Sequence, residues 1–68
     1  MRHWLKKLRT ENGLTQKEMA EKLNIAQNYY NMIENGDRQK DINLSLVTKL
    51  AELFDVSVEW IAEQEKER

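Results

Sequence analysis

Gln27, Asn28, Asn31, Met32 and Asn35 are the side chains whose types and spacing most suggest a chemical task. On a helix turning about 100° per residue they lie along one side, with Gln27 at the leading end, while Ala26, Tyr30 and Ile33 point the other way. The surface they make carries amides and a thioether but no charge. Asparagine or glutamine can make a bidentate contact with N6 and N7 of adenine, so such a face is suited to reading base edges. Asparagine costs roughly 0.5 kcal/mol relative to alanine in a helix, and stability alone would not select three on one short exposed face. The competing reading is a solvated polar face that happens to be rich in asparagine. Catalytic chemistry finds little support. The chain has no cysteine, one histidine (His3, without companions to hold a metal), two serines in capping contexts and no phosphate-cradling glycine loop. No enzyme activity, metal or cofactor is expected.

These side chains need a helix held at a defined angle, and the neighbouring sequence predicts one. Asn12-Gly13 and Asn35-Gly36 place glycine where a helix end needs a left-handed residue. They divide the chain into residues 4–12, residues 16–23, a third segment ending near Asn35 and an acidic remainder at about 43–64. Each piece has apolar residues at helical spacing: Trp4, Leu5 and Leu8; Met19, Ala20 and Leu23; Leu50, Ala51 and Phe54; Val58, Ile61 and Ala62. None alternates as a strand would. Thr15 and Glu18 match a capping box, and Asn43 and Ser57 are caps for the last two helices. Lys66 to Arg68 lie beyond the last apolar residue and are expected to fray. Residues 37–42 have no apolar side chain before Ile42 and are read as a loop. The fold class is therefore all-α, one compact bundle of about five short helices.

The second and third helices are joined by only a few residues around Asn24-Ile25-Ala26, so they must cross steeply in a helix-turn-helix unit at about residues 16–35. Ala20 lets the two backbones approach, and Asn24 tolerates the left-handed conformation such a turn needs.

Length and charge set the frame. A 68-residue chain without cysteine has a marginal core and no disulfide to support it. No apolar run exceeds three residues, which argues against a membrane span or a signal-peptide core. There is no room for a separate sensing domain, so regulation is expected through concentration, dimerisation or another protein. The net charge of −1 speaks against a polyanionic partner until it is divided by position. Residues 1–40 carry eight basic and five acidic side chains, and residues 41–68 carry three and seven. Such asymmetry fits one-sided contact with a polyanion, the acidic half lying away from it. Glu63, Glu65 and Glu67 are most simply a solubilising surface.

The string Leu14-Thr15-Gln16-Lys17-Glu18-Met19-Ala20-Glu21-Lys22-Leu23 resembles the phage-repressor and Cro-type helix-turn-helix proteins, the XRE family, whose fold is the lambda-repressor-like domain. The likeness continues through Ile25, Gln27, Ile33 and Glu34-Asn35-Gly36, and again at Leu50-Ala51-Glu52-Leu53-Phe54-Asp55-Val56-Ser57. The resemblance implies sequence-specific binding of double-stranded DNA, usually as a homodimer repressing transcription, in the cytoplasm of a bacterium or from a phage. By position it implies that Gln27, Asn28 and Met32 face bases, with Asn31 beside them. Gln16 would contact a phosphate and brace Gln27, and Asn35 would contact the backbone. Arg9 and Glu34 match an internal ion pair of the family. Lys17, Arg38 and Lys40 are the charges best placed for phosphates, although lysine on an exposed helix is more often merely solvated.

The sequence departs from the family pattern in three places. Asn24 replaces the commonest turn glycine, and Tyr30 stands where valine or isoleucine is usual, so its hydroxyl must find a partner or reach the surface. The loop at residues 37–42 is about two residues longer than usual and has no proline. Arg2 and His3 could form a short arm, but a disordered terminus is expected. Trp60 and Ile61 either cover the core or form a two-fold seam, and the seam is preferred because one recognition helix reads only half a site. An alternative function is an antitoxin-like or anti-repressor-like module acting mainly through a protein partner.

Overall fold

The computed structural model describes residues 1–36 and 42–67. Among them are five α-helices: α1 (His3–Glu11), α2 (Gln16–Leu23), α3 (Gln27–Asn35), α4 (Leu44–Phe54) and α5 (Val58–Glu67). Residues 37–41 of the loop expected at 37–42, with Arg38 and Lys40, lie outside the described residues, as does Arg68.

The start signals operate as their chemistry requires. The Thr15 hydroxyl accepts from the Glu18 N–H at 3.1 Å, and the Glu18 carboxylate accepts from the Thr15 N–H at 2.9 Å. Each side chain thus satisfies a backbone donor that α2 cannot. Those contacts, the Thr15 backbone bond first, hold the exposed Glu18 carboxyl below its ordinary range. Asn43 Oδ1 accepts from the Leu46 N–H at 2.8 Å, and Ser57 Oγ from the Trp60 N–H at 2.9 Å. Helix ends use left-handed residues: Gly36 after α3, but also Asn24 after α2 (φ 57°) and Asp55 after α4 (φ 56°). Asp55 does for the α4–α5 turn what Asn24 does for the α2–α3 turn. Lys66 and Glu67 do not fray; they belong to α5.

Every helix contributes to one core. Leu5, Met19, Ala20, Leu23, Tyr30, Ile33, Leu46, Leu50 and Ile61 are all buried. Ile61 is only 1% exposed, which removes it as a dimer-interface residue: it covers the core. Trp60, one position earlier, is half-buried and meets Trp4 edge to face, ring centroids 6.0 Å apart. The large apolar side chains that α4 and α5 leave exposed are Leu44 and Val58. α2 and α3 make the most extensive helix contact, with Ala20 buried as a close crossing requires. From α4, Lys49 Nζ reaches the Leu23 carbonyl at 3.2 Å and satisfies an acceptor at the end of α2.

The chain's start is also ordered. Arg2 is fully buried, its backbone N–H donating to the Glu34 carbonyl at 2.8 Å. A disordered arm is therefore ruled out at Arg2, although His3 stays exposed.

Candidate nucleic-acid interface

The turn between α2 and α3 sets the angle at which α3 is presented. Asn24 adopts φ 57° and ψ 47°, and its N–H groups with that of Ile25 close onto the last carbonyls of α2. Ala26 then leads into α3 with extended backbone. Gln27, Asn28 and Asn35 are exposed along α3, whereas Asn31 and Met32 are half-buried. The amide face expected from the helical wheel is thus open at both ends and partly sunk in the middle. Asn31 Oδ1 is buried and meets no hydrogen-bond donor among the described residues. An acceptor left in that state costs about 1–3 kcal/mol.

The only acidic residue of α3, Glu34, is turned inward, so the outer face carries no negative charge. Arg9 reaches Glu34 with two parallel bonds, Nε to Oε2 at 3.0 Å and Nη2 to Oε1 at 3.1 Å. Its third contact is the Leu14 carbonyl at 2.8 Å. This is the internal ion pair expected for Arg9 and Glu34. Burial by itself would raise the Glu34 carboxyl, but hydrogen bonding from Arg9, supported by Tyr30 and Gln16, outweighs it and holds the group below the usual carboxylate range. The Glu34 hydrogen bond correspondingly raises Arg9 above its ordinary value.

Tyr30 reaches neither the surface nor a regular hydrogen bond. Its buried hydroxyl faces the Arg9–Glu34 pair and leans on the Glu34 carboxylate without a well-aligned hydrogen bond. Burial first, and the Glu34 carboxylate second, push its ionisation far above the ordinary phenol range. It serves as neutral packing between α1 and α3. Gln16 is half-buried, and its Nε2 lies 3.4 Å from Glu34 Oε1, so the residue implied to touch a phosphate is also tied to the ion pair. Lys17 and Lys22 are exposed on α2, the former beside the start of the helix.

Two residues were not legible as part of this architecture. Arg2 sends Nε to Glu65 Oε2 at 2.9 Å and Nη2 to Glu65 Oε1 at 3.0 Å, and Nη1 to the Ile33 carbonyl at the end of α3. Glu65 is therefore a counter-ion and not part of a solubilising surface. Partners 63 positions apart leave no local pattern in a sequence.

No described helix is long and apolar enough to cross a membrane. Residues 5–61 match the family described as Helix-turn-helix. The chain is 51% identical over 45 residues to an uncharacterized HTH-type transcriptional regulator, YqaF of Bacillus subtilis (strain 168), covering 66% of this chain and 59% of that protein. It is 42% identical over 57 residues to the HTH-type transcriptional regulator ImmR of the same organism, covering 84% of this chain and 43% of that one. A match of 36% over 58 residues joins it to the HTH-type transcriptional regulator PrpR of Mycobacterium tuberculosis, of which it covers 12%. The chain thus spans less than two thirds of each of these relatives. No solved structure matches it. The match over residues 5–61, together with the left-handed Asn24 turn and the crossing of α2 and α3, shows that the chain belongs to the XRE-type helix-turn-helix family.

Proposed function

We propose that this chain is the DNA-reading unit of a transcriptional regulator, with α3 as the recognition helix in the major groove. The observation that carries this reading is the outer face of α3. It offers amides from Gln27, Asn28 and Asn35 and no charge, because Glu34 is neutralised inside. Gln27, Asn28, Asn31 and Met32 read bases. Gln16, Lys17 and Asn35 hold phosphates, as do Arg38 and Lys40, which follow α3 in the sequence. Phosphate contacts fix the register and base contacts give the sequence preference.

One α3 reads half a site, so a second copy of the chain is needed for a two-fold operator, its recognition helix about 34 Å away. Leu44 at 74% exposure and Val58 at 42% border an open groove of about 540 Å³ whose lining includes Val47 and Ala62. That apolar face, in place of the Trp60–Ile61 seam, is the better surface for a homodimer. The regulatory sense taken here is repression, for which occupation of the site by a bound dimer is enough. The same groove favours one second reading, in which a protein partner of the antitoxin or anti-repressor kind occupies it.

Selection of bound sequences from a random duplex pool tests the proposal, followed by binding measurements at two salt concentrations. A two-fold symmetric sequence with adenines in each half-site is the expected product. Affinity is expected to fall with salt by a logarithmic slope of about −0.9 per neutralised phosphate. Binding that selects no sequence, or ignores salt, would refute it.

A further inference from the structure

Arg2 closes the C-terminal end of α3 with both its main chain and its side chain. Its N–H donates to the Glu34 carbonyl at 2.8 Å, and its Nη1 to the carbonyl of Ile33. α3 has no basic residue in its own last turn, so this guanidinium supplies the positive charge that the negative end of a helix dipole favours. A cation with no exposed surface needs a counter-ion, and Glu65 provides it through two parallel bonds at 2.9 and 3.0 Å. Trp4 Nε1 donates to the same Glu65 Oε2 at 2.9 Å, and Trp4 itself rests edge-on against Trp60. The start of α1, the end of α3 and the end of α5 are therefore joined through Arg2, which bonds the last carbonyls of α3 and the Glu65 carboxylate of α5.

From this juxtaposition we infer that Arg2 and Glu65 are positioning residues for base reading, acting through the far end of α3 without touching DNA. The inference rests on the proposal that α3 is the recognition helix. The Asn24 turn fixes where α3 begins, and the Arg2–Glu65 pair, beside the Arg9–Glu34 pair, fixes where it ends. With the Arg2–Glu65 anchor weakened, the end of the helix shifts more than its start. Gln27 and Asn28 lie next to the turn and move little. Asn31 and Met32 stand four and five residues beyond Gln27 and, at about 1.5 Å of rise per residue, move more.

Glu65→Gln tests this, since it keeps the shape of the side chain and an acceptor for Trp4 while removing the charge. Wild type and variant are titrated with the duplex that wild type selects, with its single-base variants and with an unrelated duplex. Affinity for the selected duplex is expected to fall about fivefold or more, equivalent to losing one base contact. Affinity for the unrelated duplex, which depends on phosphates, should stay within about twofold. The lost discrimination should fall on the base positions that Asn31→Ala also relaxes and spare those that Gln27→Ala relaxes. A purely structural role lowers both affinities together through the folded fraction, so an unchanged ratio overturns the inference, as does a loss spread evenly over the site. Should Glu65→Gln not fold, Arg2→Lys is read by the same ratio, because lysine keeps the charge and loses the planar fork. Wild type that selects no sequence overturns the recognition-helix reading itself, a result visible before any variant is made.

Discussion

Replacing Arg9 by alanine orphans a carboxylate that is only 1% exposed. Removing one member of a buried ion pair costs about 3–5 kcal/mol, because the remaining charge keeps its desolvation penalty and loses its partner. Here Gln16 still lies 3.4 Å from Glu34 Oε1 and offsets a little, whereas the Leu14 carbonyl loses a donor. A loss of about 3 kcal/mol at neutral pH is therefore expected. A chain of this size has a total stability of only about 3–10 kcal/mol, at roughly 0.05–0.15 kcal/mol per residue. The melting temperature should drop by roughly 12–24 °C, at about 4–8 °C per kcal/mol. Urea unfolding followed by the fluorescence of Trp4 and Trp60 measures this directly. The pH dependence supplies an internal check. Since Glu34 in the folded chain is held below the ordinary carboxylate value, its contribution is complete above that value. It is lost as pH falls through the lower folded value, where the neutral carboxyl no longer needs Arg9. The gap between wild type and Arg9→Ala should thus narrow in acid. A double variant, Arg9→Met with Glu34→Leu, should recover much of the loss by removing the orphaned charge. A cost below about 1 kcal/mol, typical of a surface pair, would refute the reasoning. So would a gap that is equal at neutral and acid pH, or a double variant no better than the single one.

Four further outcomes follow from the same structure. Gln27→Ala should weaken binding to the selected duplex by about 1–3 kcal/mol and leave unrelated DNA almost unaffected, as read by competition titration. Lys17→Ala should instead lower affinity uniformly and reduce the salt slope by about 1. Asn24→Ala should destabilise the fold by about 1 kcal/mol in chemical unfolding, whereas Asn24→Gly should lie within about 0.5 kcal/mol of wild type, because φ there is positive. Leu44→Arg should leave the melting temperature nearly unchanged, since the side chain is 74% exposed, while shifting sedimentation toward monomer.

Local chemistry was legible in the sequence, and long-range pairing mostly was not. The Thr15 capping box, the Asn43 and Ser57 caps, the left-handed Asn24 and the buried Met19, Ala20 and Leu23 depend on neighbours within a turn or two, so periodicity and residue type reveal them. The exposed amides of Gln27 and Asn28 follow from the same periodicity. Asn31 and Met32 were harder to place, because a wheel describes a single helix and cannot see α3 settle against its neighbours. Trp60 and Ile61 show the limit most clearly. Adjacent apolar residues on α5 point about 100° apart, and only the packed bundle decides that Ile61 is the one fully buried. Arg2 and Glu65 had read as a loose terminus and a solvated charge because their meaning lies in each other. The Arg9–Glu34 pair, also remote in sequence, was legible only through the family resemblance.

The closure between residues 2 and 65 also bears on the order in which the molecule assembles. It joins positions 63 apart, whereas the α2–α3 crossing joins segments separated by three residues. Chain-closure entropy rises with the length of the loop to be closed, so the crossing can form while the ends are still free. The Arg2–Glu65 contact then belongs to the downhill side of the barrier. Substitutions there should accelerate unfolding and barely slow refolding, and those at Ala20 or Ile33 should do the reverse. The ends act as a latch on kinetic lifetime, and the reading unit can form before they fasten.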